Sequence, residues 1–121
     1  MPSRKQGPRT RRVADRIQVE LAEILTTKTE DPRLRVLSIT GAEVSRDLSL
    51  AKIWVVGRLP QDVEPSVLQA LARATPYFRS LLAPRLGLRI VPELHFEIDR
   101  SIERGARIEQ LLREIQEPHD E

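Results

Sequence analysis

The stretch RATPYFRSLL, residues 73–82, decides how this chain is read, because it has the apolar spacing of an amphipathic helix and yet carries Pro76 near its middle. An interior proline removes one backbone hydrogen bond and clashes with the preceding turn, costing about 3 kcal/mol or more in a continuous helix. The sequence therefore predicts two helices meeting at Pro76. The first opens at Pro65 and carries Val67, Leu68 and Leu71, and the second carries Phe78, Leu81 and Leu82.

Working outward, Val13, Ile17, Leu21, Ile24 and Leu25 fall at helical spacing from Thr10 onward. That first helix must end before Asp31-Pro32, since a residue preceding proline is pushed out of the α region. In VLSITGAEV (36–44), Leu37 and Ile39 share one parity while Ala42 and Val44 share the other, so a bulge at Gly41 is needed to restore one inward face. The turn SRDLS then leads to LAKIWVV (50–56), which pairs back as a hairpin. RIVPELHFEID (89–99) alternates Ile90, Leu94, Phe96 and Ile98 with polar residues, and Pro92 marks an edge strand or a strand start. A final helix follows, with Ser101 as N-cap and Ile108, Leu111, Leu112 and Ile115 as its stripe.

This order, α-β-β-α-kink-α-β-α, implies a single α+β domain over residues 10–116, with a mixed three-stranded sheet and helices on one face. Two helices meeting sharply between parallel strands form the centre of a KH-like fold. In ordinary KH domains a GXXG loop sits at that junction and clamps single-stranded nucleic acid, but no GXXG occurs in this sequence. Ala74, Thr75 and Pro76 form the expected kink without the glycines that admit a phosphate backbone.

The net charge of the 121-residue chain is only +2, but charge is unevenly placed. Residues 1–16 hold Arg4, Lys5, Arg9, Arg11, Arg12 and Arg16 against Asp15, whereas Glu109, Glu114, Glu117, Asp120 and Glu121 face only Arg113 near the other end. A basic arm (1–9) and an acidic tail (117–121) are expected to flank the domain, with an anionic partner near the basic end. All but three of the 20 basic residues are arginine, which suits bidentate contact with phosphate, although a GC-rich genome produces the same bias. The absence of cysteine excludes disulfides, thiolate metal sites and thiol nucleophiles. With no secretory h-region and no spanning apolar run, a cytoplasmic protein without membrane association is expected.

DPRL (31–34), ITGAEVSRDLSLAKIWV (39–55) and FRSLLAPRLGLRIVPELHFEID (78–99), in this order and spacing, resemble the bacterial ribosome-binding factor A family over roughly residues 10–115. The resemblance implies a type II KH fold whose helices meet at an alanine-x-glycine kink, here Ala74-Thr75-Pro76 with proline in place of glycine. It also implies a non-enzymatic assembly factor that binds the immature small (30S) ribosomal subunit, contacts 16S ribosomal RNA and its precursor, and promotes late maturation and 5′-end processing. In some members the role matters most in the cold, and an assembly GTPase acts in release.

Arg9, Arg11, Arg12, Arg16, Arg73, Arg79, Arg85 and Arg89 are the candidate RNA contacts, with Arg79 and Arg89 ranked first because they lie inside the family motifs. Arg33 and Arg35 rank below them. No catalytic constellation, metal site or cofactor motif is present: His95 reads as a strand side chain, and Asp47, Glu93 and Asp99 as turn or capping residues. With few aromatics, the sheet lacks the stacking platform of a sequence-specific RNA reader. Phe78 and Phe96 are expected in the core, and Trp54 is either exposed or packed under a helix. Two alternatives stand beside the assembly factor, a protein-interaction module and a general KH-like binder of single-stranded RNA. A monomer is expected.

Overall fold

The computed structural model describes residues 7–116, so the acidic tail and most of the basic arm, including Arg4 and Lys5, lie outside the described residues. Helix α1 (Pro8–Thr27) starts from an extended Gly7, with Pro8 in its first turn and the Thr10 hydroxyl donating to the Gly7 carbonyl at 3.0 Å. Arg9 is thus already helical. Of the expected stripe, Ile17, Leu21, Ile24 and Leu25 are buried, while Val13 is half-buried and Ala14 takes the buried place beside it.

The Asp31-Pro32 step ends α1 but also starts a one-turn helix that periodicity does not reveal, α2 (Pro32–Arg35). Proline's fixed φ suits a first helical position. Asp31 caps the turn by accepting from the Arg33 N–H at 2.9 Å, and Leu34 is buried beneath it.

Strands β1 (Ser38–Val44) and β2 (Leu50–Val56) pair antiparallel, with a register shift between Ile39 and Gly41 that leaves Thr40 as the extra residue. The expected bulge thus falls one residue before Gly41, and it lets Ile39, Ala42 and Val44 share the core face. The connecting turn is organised by Asp47, whose carboxylate accepts from the Ser45 and Ser49 hydroxyls and the Ser49 N–H. Those bonds hold the carboxyl down to about 2 and fix the turn around Leu48, whose φ of 61° is left-handed.

Helix α3 (Pro65–Leu86) differs from expectation: the two helical stretches are one element that runs through Pro76 and through Pro84. The reason is phase. Val67, Leu71, Phe78 and Leu82 are all buried and continue one stripe at 3.6-residue spacing across the proline, so a single helical register serves both halves. Burial of such side chains is worth about 1.5–3 kcal/mol each, which offsets the missing donor to the Ala72 carbonyl. Pro76 itself is exposed, and left-handed Gly87 (φ 64°) terminates the helix.

Strand β3 (Glu93–Ile98) pairs parallel to the central β2, from Leu50 opposite Glu93 to Val55 opposite Ile98. Pro92 immediately precedes it, as a strand-start proline should. The expected alternation begins only at Leu94, since Ile90 lies before the strand and is 72% exposed. The core is shared by α1, α3 and the faces of the strands turned toward them, with Phe78 fully buried and edge-on to Phe96 at 6.1 Å. Trp54 points to the other face of the sheet, is only 9% exposed, and lies under the Lys52 ammonium at 5.8 Å.

Helix α4 (Ser101–Gln116) contributes no buried residue, and Ile108, Leu111, Leu112 and Ile115 are between 50% and 75% exposed. Its first N–H, that of Ser101, is taken by the Asp99 carboxylate at 2.9 Å, so the cap comes from Asp99 and not from the Ser101 hydroxyl. The same carboxylate accepts from Thr40 at 2.6 Å, tying the β1 bulge to the end of β3.

Two outcomes follow from this arrangement. Deleting residues 101–116 removes nothing from the core, so the truncated protein should keep a cooperative thermal transition within a few degrees of the parent by circular dichroism. The Thr40 and Ser101 bonds hold the Asp99 carboxyl at about 2, below its ordinary 3.8. A depressed folded-state value stabilises above about 3.8 and is lost as pH falls toward 2. Asp99→Asn should therefore be less stable than the parent at neutral pH in urea unfolding, with the gap closing between about pH 4 and 2.

Candidate nucleic-acid interface

The arginines singled out in the sequence are not gathered on one surface. Arg9, Arg12 and Arg16 share one face of α1 by their spacing, and all are exposed. Arg16 donates to the Arg85 carbonyl at 3.0 Å, which shows α1 and α3 running antiparallel, the start of one beside the end of the other. Arg85, only 23% exposed, bonds Glu23 at 2.8 Å and Glu20 at 3.4 Å. Arg16 also approaches Glu20, at 3.8 Å. Charge at Arg16 and Arg85 is thus partly met within the protein.

Arg79 is used by the fold. Its Nη2 donates to the Val91 carbonyl at 2.7 Å, anchoring the loop between α3 and β3, and its Nε is buried without a hydrogen-bond partner. Arg79 thus has one donor committed to the Val91 carbonyl and another buried, which gives it a positioning role in the fold. Arg89 is exposed, three residues beyond the end of α3, and Arg11 is exposed on α1.

The Ala74-Thr75-Pro76 segment divides two grooves. On one side, Thr75, Pro76 and Arg79 face the β3 residues Glu93, Leu94, His95 and Phe96. The exposed His95 lies 3.4 Å from Glu93, a strand pair and not a catalytic one. On the other side, Arg73 and Ala74 border a groove closed by Lys28, Asp31, Arg33 and Tyr77, from the end of α1, α2 and the middle of α3. Lys28 and Arg9 stand roughly 28 Å apart along α1 at 1.5 Å per residue, so two basic patches occupy opposite ends of α1. Lys28 and Tyr77 were not among the sequence candidates. Nothing local marks them, since their proximity arises only when α1 and α3 pack.

Comparison with known proteins decides the family. The model of the family "Ribosome-binding factor A" matches residues 9–112. This chain belongs to the ribosome-binding factor A family. Family members from Thiobacillus denitrificans and Alkalilimnicola ehrlichii are 43% and 44% identical, covering 89% and 91% of this chain and 87% and 85% of theirs. Among solved structures, the crystal structure of ribosome-binding factor A from Thermus thermophilus superposes with a TM-score of 0.66 at 29% identity, over 76% of this chain and 98% of that one. A Thermus thermophilus homology model fitted into a cryo-electron-microscopy map of a 30S complex with this factor gives 0.61 at 31% identity, over 72% and 91%. The KH-like α+β fold is thereby established, with the family's kink position held inside one continuous α3.

Because Pro76 interrupts the ladder of a helix that stays in phase, Pro76→Ala should stabilise the protein by about 1–3 kcal/mol in urea unfolding, with an unchanged spectrum. A loss of stability would mean that the proline is required where α3 crosses the sheet.

Proposed function

We propose that this chain is an assembly factor that binds the small ribosomal subunit and its 16S RNA and acts by holding an immature arrangement, without making or breaking bonds. The observation that carries this reading is family membership over residues 9–112, joined with the relative that was fitted into a 30S complex. By differential affinity, a bound factor shifts the RNA between immature and mature arrangements. Promotion of late maturation and 5′-end processing, release by an assembly GTPase and a cytoplasmic, monomeric state belong to the same reading, as does greater need in the cold. No helix among the described residues is long and apolar enough to cross a membrane.

Within this reading the phosphate contacts are exposed cations with no ion-pair partner among the described residues, Arg9, Arg11, Arg12, Arg73 and Arg89, with Arg16 and Arg85 as a supporting clasp. Arg79 acts by positioning the loop that leads to β3.

Co-sedimentation with purified small subunits, large subunits and joined ribosomes across a salt series tests the proposal. Binding should be confined to the small subunit, strongest for immature particles, and weakened by salt. Each of Arg73→Gln and Arg89→Gln should lower the log-log salt slope by about 0.7–0.9. Equal binding to every particle, or salt-insensitive association with a protein after RNase treatment, would replace this reading with the protein-interaction alternative.

A further inference from the structure

The groove between the end of α1, α2 and the middle of α3 is built for more than charge. It is an open cleft of about 540 Å³, and clefts of roughly 300–1,000 Å³ accept ligands of small-molecule size. Ala70 and Ala74 present small side chains on the α3 side, leaving room beside the Tyr77 ring that forms part of the wall. Tyr77 is 48% exposed, although Phe78 next to it is fully buried.

That exposed ring is held in place. Its hydroxyl donates to the carbonyl of Lys28, the C-cap residue of α1, at 3.2 Å. A ring fixed before binding offers a stacking face at little entropic cost. The charges around it are asymmetric in use: Arg33 is bound to Asp31 at 2.8 Å, while the Lys28 ammonium and the Arg73 guanidinium have no ion-pair partner among the described residues. Glu30 also borders the groove and repels an extended polyanion. An aromatic wall, two available cations and one opposing carboxylate fit a single nucleotide better than a duplex backbone.

We infer that this groove receives one unpaired nucleotide of the bound RNA, its base stacked on the Tyr77 ring and its phosphate facing Arg73 and Lys28. The inference rests on the RNA-binding reading above and names the ligand of one part of that surface. Recognition by a held aromatic also explains how a protein without a GXXG loop gains grip beyond charge, since stacking is indifferent to close backbone approach.

The test measures affinity for purified small subunits across salt for the parent, Tyr77→Leu, Tyr77→Phe and Arg89→Gln, with thermal unfolding confirming that each variant folds. Base stacking on an aromatic is worth about 1–3 kcal/mol, so Tyr77→Leu should weaken binding roughly 5- to 150-fold. Its salt slope should stay unchanged, and Tyr77→Phe should restore most of the loss. In parallel, p-azidophenylalanine placed at position 77 and irradiated in the complex should yield an adduct to RNA. Parent-like affinity in Tyr77→Leu, with Arg89→Gln still flattening the slope, would overturn the groove inference and leave the assembly reading standing. An adduct to a ribosomal protein would assign the groove to a peptide instead. Failure of the parent to bind small subunits would remove both.

Discussion

The structure depends on one constraint, that the buried stripe of α3 stays in register across a proline. Val67, Leu71, Phe78 and Leu82 meet α1 and the sheet on a single face, and Phe78 stands edge-on to Phe96 where helix and β3 converge. A break at Pro76 would rotate Phe78 and Leu82 away from the face that Leu71 occupies. The burial of four side chains outweighs one lost hydrogen bond, so the helix continues and the family's kink position becomes a point within it. The price in helical order is local: the carbonyl of Ala72 loses its usual donor at Pro76, and that of Ser80 loses its donor at Pro84.

From that continuity follows the placement of charge. An unbroken α3 lying antiparallel to α1 brings Arg85 to Arg16 at one end and Tyr77 to the Lys28 carbonyl further along. The two basic patches are therefore held apart by the twelve residues from Arg73 to Arg85, roughly 18 Å along α3 at 1.5 Å per residue. The end with Arg16 and Arg85 is knit to Glu20 and Glu23, with Arg85 and Glu20 largely buried, so that these ion pairs orient the side chains within the molecule. The other end keeps Lys28 and Arg73 available beside an aromatic ring, a combination suited to nucleic acid rather than to folding.

Helix α4 stands apart from this scheme. Among the described residues it is fastened at its root, through Asp99, and displays an apolar stripe to solvent. On the sheet's outer face Trp54 is only 9% exposed, and Lys52 bridges to Glu97 at 3.6 Å. Amphipathic spacing is thus evidence that a segment is helical, while its burial requires a partner that spacing does not supply.

Much of the architecture was legible from the chain alone: the stripe of α1, the bulge beside Gly41, Pro65 opening a helix, Pro92 preceding a strand, and the family motifs that run through residues 31–99. These are local signals, set by φ restriction, side-chain parity and periodicity, and they survive folding unchanged. What only the tertiary structure decided was whether Pro76 breaks its helix, whether the α4 stripe is covered, and which arginines are spent inside the molecule. Arg79 reads in sequence like any exposed motif arginine, yet the Val91 carbonyl takes it. Tyr77 and Lys28 lie 49 residues apart, and only the packing of α1 against α3 makes them neighbours. Each of these outcomes turns on a balance between distant groups, and no window of sequence contains both sides of such a balance.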